Sequence, residues 1–235
     1  MENSIDMVQI NAVNPKFEKE IDTLQKELSS IAKTVLNSHI LALEGFEKKS
    51  DDVFERVALT LKGIEDAGNR IDNRIVKILA LYNAESKELR FLIAGIKLTN
   101  ELVGVGNDVK RYARNTKELI YLEDINLDNY KEYITNMHKC AIKSIKYALF
   151  AIEHYYSEDS EDFFTLSKIE ESKTDDIYSL LEKEILGNIC KDVELSQKYI
   201  KILKSIRKLE RSADRSVDIC SLMHYVKYGG SIQSY

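Results

Sequence analysis

Proline occurs once in this chain of 235 residues, and glycine nine times. Proline breaks helices from within and glycine weakens them, so their scarcity over such a length points to an all-α chain and excludes turn-rich β folds. Long apolar runs are missing too. The longest, 147–152 (YALFAI), falls far short of the roughly 20 residues a membrane-spanning helix needs, so no membrane insertion is expected. The opening MENSIDMVQINAVN has no basic region leading into an apolar one, and no export signal is read there. Cys140, Cys190 and Cys220 form no CxxC pair and are odd in number, which reads as reduced, partly buried thiols of a cytoplasmic protein. P-loop, dinucleotide fingerprint and nucleophile elbow are all absent, so no enzyme is expected. A net charge of −5 argues against a general nucleic-acid binder.

What is there is a long chain with 44% hydrophobic residues, enough for a sizeable core. Capping signals divide it into six helical stretches. Asn14-Pro15 opens the first, to about Lys49; Ser50 or Asp51 caps the second, to about Tyr82; Asn83 caps the third, to about Thr116. Residues 120–128 carry no helical period and read as the midpoint connection. Asn129 with Glu132 forms a capping-box pattern for the fourth, and Ser157 or Ser160 opens a fifth that Gly187 ends. Asp192 starts the sixth, which fades at Gly229-Gly230. Long helices on short connections pack as antiparallel neighbours. The expected fold is two tandem, pseudo-repeated antiparallel three-helix bundles, at 14–120 and 121–228, with mobile tails at 1–13 and 229–235.

The sixth stretch carries acids where hydrocarbon is expected. Glu210 and Asp214 are four apart and share one helical face with Leu203, Ile206, Ala213 and Val217. Glu171 and Asp175 form a second pair, threaded on the heptad Phe164–Glu171–Tyr178–Ile185. With 39 acidic residues about six such pairs arise by chance, so spacing alone means little. Placement in an apolar stripe, twice, means more. Four carboxylates converging between two helices repel unless protonated or gathered around a cation. Carboxylate-only ligation suits magnesium, manganese, calcium or iron better than structural zinc. A di-iron oxidase would need Glu-x-x-His on two helices. His39, His138, His154 and His224 supply no such motif and read as surface or half-buried residues. Cys220 reads as a packed thiol. Lys201, Lys204, Lys208, Arg211 and Arg215, spaced 3, 4, 3, 4, run as a basic stripe beside the acids. That stripe is either a solvated face or a docking surface for an acidic or phosphate-bearing partner.

The halves look related: setting 103–113 (VGVGNDVKRYA) against 210–220 (ERSADRSVDIC) matches Val103 with Glu210 and Asn107 with Asp214. Residues 87–113 (KELRFLIAGIKLTNELVGVGNDVKRYA) and 209–229 (LERSADRSVDICSLMHYVKYG) resemble the DLR…ELERIGD…A and ERIGD…NI…YYV segments of the PhoU family of phosphate-uptake regulators. The resemblance extends over roughly 30–229. It implies two E/D-x-x-x-D motifs per bundle, associated with metal. By position these are Glu171–Asp175 and Glu210–Asp214 in the second bundle, whereas the first has Leu61, Glu65, Val103 and Asn107. A divalent or trivalent metal (Fe, Mn, Mg, Zn or Ca) is therefore expected in the second bundle only. The resemblance also implies a homodimeric, non-catalytic cytoplasmic adaptor at the inner membrane's periphery. Its partners would be a phosphate ABC transporter's ATPase subunit and a sensor histidine kinase. Two alternatives stay open: an accessory protein of a Pit-type phosphate or cation transporter, and a metal-binding helical protein with a hydrolytic or storage role.

Overall fold

A computed structural model describes residues 15–84, 86–155 and 162–230. The helices are α1 (Pro15–Lys48), α2 (Asp51–Thr60), α3 (Ile64–Leu81), α4 (Ser86–Leu119), α5 (Lys131–Glu153), α6 (Phe163–Lys191) and α7 (Ser196–Tyr228), with a 3-10 turn at Leu127–Tyr130. Among the described residues there is no strand, and no helix is long and apolar enough to cross a membrane. The expected tail at 1–13, residues 231–235 of the expected tail at 229–235, and the proposed cap at Ser157 or Ser160 lie outside the described residues.

The six expected stretches are present, with differences at their ends. The second is split into α2 and α3 by the turn Leu61–Gly63, where Gly63 takes a φ of 80° that other residues rarely adopt. Gly187 stops nothing: it has no positive φ, and α6 runs past it because Ile185 and Ile189 continue the apolar period. Asp192 closes α6 in extended conformation, and α7 opens only at Ser196. Asn126 caps the 3-10 turn that leads into α5, its side chain accepting from the Asp128 N–H, and α5 itself follows Tyr130 with no side-chain cap and no Asn129 capping box. Asp162 caps α6, accepting from the Thr165 N–H at 3.0 Å.

Helices α1 to α4 form the first bundle and α5 to α7 the second. They share one continuous hydrophobic core, with α1 packed on α5 and α4 on α7, the most extensive helix pair in the molecule. His39 and His138 sit fully buried in that core and hydrogen-bond to no described residue, correcting the surface or half-buried reading. The Tyr112 ring meets His138 edge-on at 4.6 Å. Burial pushes His39 down to about 3, so the core holds it as neutral imidazole.

The α4–α7 seam is polar at its centre. Asp108 is 3% exposed and lies 3.3 Å from Lys208 Nζ, 3.4 Å from Arg215 Nε and 3.8 Å from Arg211 Nε. Arg215 also donates to Glu101 at 2.6 Å. A Cβ on Gly104 would stand 2.6 Å from the Arg215 guanidinium carbon, so a side chain there would push the guanidinium from its present place against α4. Farther along, the Thr116 and Ser205 hydroxyls share a buried hydrogen bond of 2.9 Å. Removing a buried carboxylate from such a cage leaves three cations facing one another. Asp108→Ala is therefore expected to cost about 3 kcal/mol in urea unfolding, and a loss below about 1 kcal/mol would show that the seam does not depend on it.

Candidate metal centre

Two long helices bring the acids together. On α6 the buried face is Ser167, Glu170, Thr174, Tyr178, Leu181 and Ile185, and Glu171 and Asp175 stand at its margin. On α7, Asp214 lies beside the buried Ala213 and Leu209. Glu171, Asp175 and Asp214 each offer an oxygen, and the three oxygens lie within 4.8 Å of one another. Glu171 and Asp214 line a groove of about 300 Å³ together with Phe164, Lys168, Val217 and Asp218.

The fourth expected acid, Glu210, is buried at 5% exposure but does not join this trio. Its Oε2 sits 2.8 Å from Arg207 Nε, an ion pair without hydrogen-bond alignment. It still senses the cluster. Burial, then the Asp214 carboxylate, pushes Glu210 up to about 7, with Arg207 opposing and Asp175 adding. Glu171 is likewise raised to about 7 by burial, then Asp175 and Asp214. Asp214 rises to about 6 by burial and Asp175. Glu171, Glu210 and Asp214 are thus pushed toward protonation by burial and by one another, and a bound cation would relieve that repulsion.

The donor set fits a hard or borderline cation: three carboxylates from two helices, with Glu210 in reserve behind Arg207. No histidine belongs to it. His224 packs against Phe164 and Tyr228 instead. Cys220 is buried, its thiol pushed up to about 12 by burial, as a packed thiol should be. Two acids escaped the sequence reading. Asp218 lines the same groove and is raised to about 6 by burial and Glu101; the spacing Glu210–Asp214–Asp218 was its signal. Glu170, 6% exposed, pairs with Lys173 at 2.7 Å and Lys143 at 3.8 Å; nothing in its spacing marks it off from Glu171.

In the first bundle the matching positions look different. Leu61 is buried at 1% exposure and Val103 packs towards Gly68. Asn107 Nδ2 donates to Glu65 Oε1 at 3.3 Å, the same helix-to-helix contact that Asp214 and Asp175 make as like charges. An amide replacing one carboxylate turns repulsion into a hydrogen bond. The basic stripe is divided. Lys208, Arg211 and Arg215 turn into the seam towards Asp108, leaving Lys201 and Lys204 exposed. The expected five-residue docking face is thus not continuous, because a buried carboxylate on α4 claims three of its cations.

The raised carboxyls give the metal-free protein a pH dependence of definite sign. A folded pKa above the unfolded one means the native state holds the proton more tightly, so that stabilisation is complete below the ordinary values of 4.5 and 3.8. It is lost as pH rises through about 6 to 7. In chelator, wild type is expected to lose melting temperature between about pH 5 and about pH 8 relative to a Glu171→Gln, Asp214→Asn variant. Parallel melting curves would show that these acids do not interact in the native state. The buried histidines, present in both proteins, cancel in the difference.

Known proteins resemble this chain over both bundles. The family model for the PhoU domain matches at residues 28–116 and again at 134–223. The phosphate-specific transport system accessory protein PhoU homolog 1 of Thermotoga maritima is 26% identical over 93% of this chain and 92% of its own length. The PhoU homolog of Streptococcus pneumoniae is 24% identical over 91% of this chain and 96% of its own. The crystal structure of PhoU from Pseudomonas aeruginosa superposes with a TM-score of 0.80 at 19% identity, covering 91% of this chain and all of that one. The phosphate transport system regulatory protein PhoU from Streptococcus pneumoniae gives a TM-score of 0.78 at 22% identity, over 91% of this chain and 98% of its own. With both bundles matched, the chain belongs to the PhoU family.

Proposed function

We propose that this chain is a regulator accessory to phosphate-specific transport, a non-catalytic adaptor that restrains the phosphate-starvation response. The observation carrying this reading is the family match over both bundles, with full-length relatives named as accessory proteins of phosphate-specific transport systems. An adaptor needs a stable helical surface and a partner interface. The one convergent set of ligand-type groups found among the described residues is Glu171, Asp175 and Asp214. It lacks the histidine of the di-iron motif and has no nucleophile at hand.

On this reading the protein works in the cytoplasm as a homodimer, held at the inner membrane through the transporter's ATPase subunit and a sensor histidine kinase. A divalent or trivalent cation, when bound, supplies the charge that lets α6 and α7 stay close. Glu171, Asp175 and Asp214 would hold it, with Glu210 available if Arg207 moves away. The cation thereby shapes the second bundle's outer surface, where a partner would read it. The name-bearing relatives favour this over a Pit-type transporter accessory, and nothing in the groove favours a hydrolase.

Two measurements test the reading. Elemental analysis of the full chain is expected to find metal that Asp175→Asn with Asp214→Asn removes and Glu65→Gln does not. Chelator should lower the melting temperature of wild type alone, since a ligand held at a hundredfold excess over Kd adds about 2.7 kcal/mol to the native state. Metal lost from the Glu65 variant, or retained by the double variant, would put the site elsewhere. Separately, deleting the gene is expected to derepress phosphate-starvation genes in phosphate-rich medium. Unchanged expression would end the regulator reading and leave the Pit-type accessory role.

A further inference from the structure

The acid-lined groove of the second bundle has a twin in the first. A groove of about 430 Å³ lies between α2 and α4, against Phe54, Ala58 and Ala113. The alignment that sets Leu61 against Glu171 sets Phe54 against Phe164. The one that sets Asn107 against Asp214 sets Lys110 against Val217 and Arg111 against Asp218. Both grooves therefore occupy one place in the repeat and keep the aromatic residue. Their net charge is opposite: four cations with Glu55 line the first, three acids with Lys168 the second.

In the first groove, α4 presents Lys110, Arg111, Arg114 and Lys117. Lys117 is occupied by Glu55 at 2.8 Å and Asp51 at 3.5 Å. The other three are exposed and form no ion pair with any described residue. Arg74, Arg207, Arg211 and Arg215, by contrast, each have a carboxylate within reach. In a chain of net charge −5, the groove gathers three cations without a carboxylate partner among the described residues into one concavity. Two guanidinium forks and an ammonium on one turn of helix suit the oxygens of a phosphate group. A rise of about 1.5 Å per residue spreads them over only about 6 Å, the footprint of one or two phosphates and not of an extended acidic chain. The groove's volume falls within the roughly 300–1,000 Å³ of small-molecule sites, with apolar surface left over for an organic body.

We infer that the first-bundle groove binds a phosphate-bearing small molecule, with Lys110, Arg111 and Arg114 on its phosphate oxygens and its body against Ala58. The repeat has thus turned one groove from a cation site into an anion site. This is independent of any metal, and it is tested with metal removed. Isothermal titration of the full chain in chelator, at fixed ionic strength, uses adenosine triphosphate in one arm and inorganic phosphate in the other. Saturable nucleotide binding is expected, weakened about tenfold or more by Lys110→Glu with Arg114→Glu and unchanged by Lys201→Glu with Lys204→Glu. The milder Lys110→Gln, Arg114→Gln pair should weaken it in the same direction, with helical circular dichroism unaltered. Binding in both arms with the same variant sensitivity assigns the free ion as sufficient; binding of the nucleotide alone assigns the organic phosphate. Absence of binding in both arms, binding indifferent to the α4 variants, or binding only of a glutamate-rich peptide overturns the inference.

Discussion

The seam between α4 and α7 is the contact on which the rest of the molecule hangs, and at its centre one buried carboxylate, Asp108, is held among Lys208, Arg211 and Arg215. Its design follows the internal repeat with the charges exchanged. Glu101 stands where the second repeat has Lys208, and Asp108 where it has Arg215. The two cross-pairs, Asp108 with Lys208 and Glu101 with Arg215, are therefore one contact written twice about a pseudo-twofold axis, acids on one side and bases on the other. Two copies of the first bundle pressed together this way would oppose four acids, and two copies of the second would oppose four bases. Only unlike halves fit, so the seam specifies which helices meet as well as stabilising them.

This seam also sets up the groove chemistry. It takes Lys208, Arg211 and Arg215 of α7 inward to α4, and Asp214 is left on the side that meets α6. Asp218, raised by burial and Glu101, links the two regions. The acid cluster and the ion-paired seam are adjacent faces of a single helix. The two repeats differ again at the groove positions: Val217 and Asp218 on one side, Lys110 and Arg111 on the other, while Phe54 and Phe164 keep the same place. A backbone fixed by apolar packing tolerates opposite charges in equivalent concavities, because those positions contribute little to the core.

Much of this was legible in the residues. The helical class followed from one proline, and Glu171, Asp175 and Asp214 stood out because acids interrupt an apolar stripe. Periodicity, however, reports which face a residue occupies and not what approaches it from another helix. Hence Glu210 was grouped with the other three although Arg207, one turn away, draws it aside. The basic stripe likewise looked continuous until Asp108 arrived from α4, and Asp108 itself was overlooked beside the more conspicuous Asn107. His39 and His138 read as surface or half-buried groups because their burial depends on α1 meeting α5. Helix ends failed for a local reason: Gly187 can sit in ordinary helix, whereas the break at Gly63 needs a left-handed residue that glycine permits without requiring.

Glu101 and Arg215 are 114 residues apart in sequence, and their contact joins the last helix of one repeat to the last helix of the other. During synthesis the first bundle emerges complete while its seam face, with Asp108 and the clefts around Gly104, still has only water against it. Local contacts within each bundle form early, but the joint between them belongs to the slow class of long-range closures. Until α7 arrives, the seam face of α4 carries an acidic notch and has no mate. The order in which the chain is made thus leaves the commitment to a single rigid body to its final long helix.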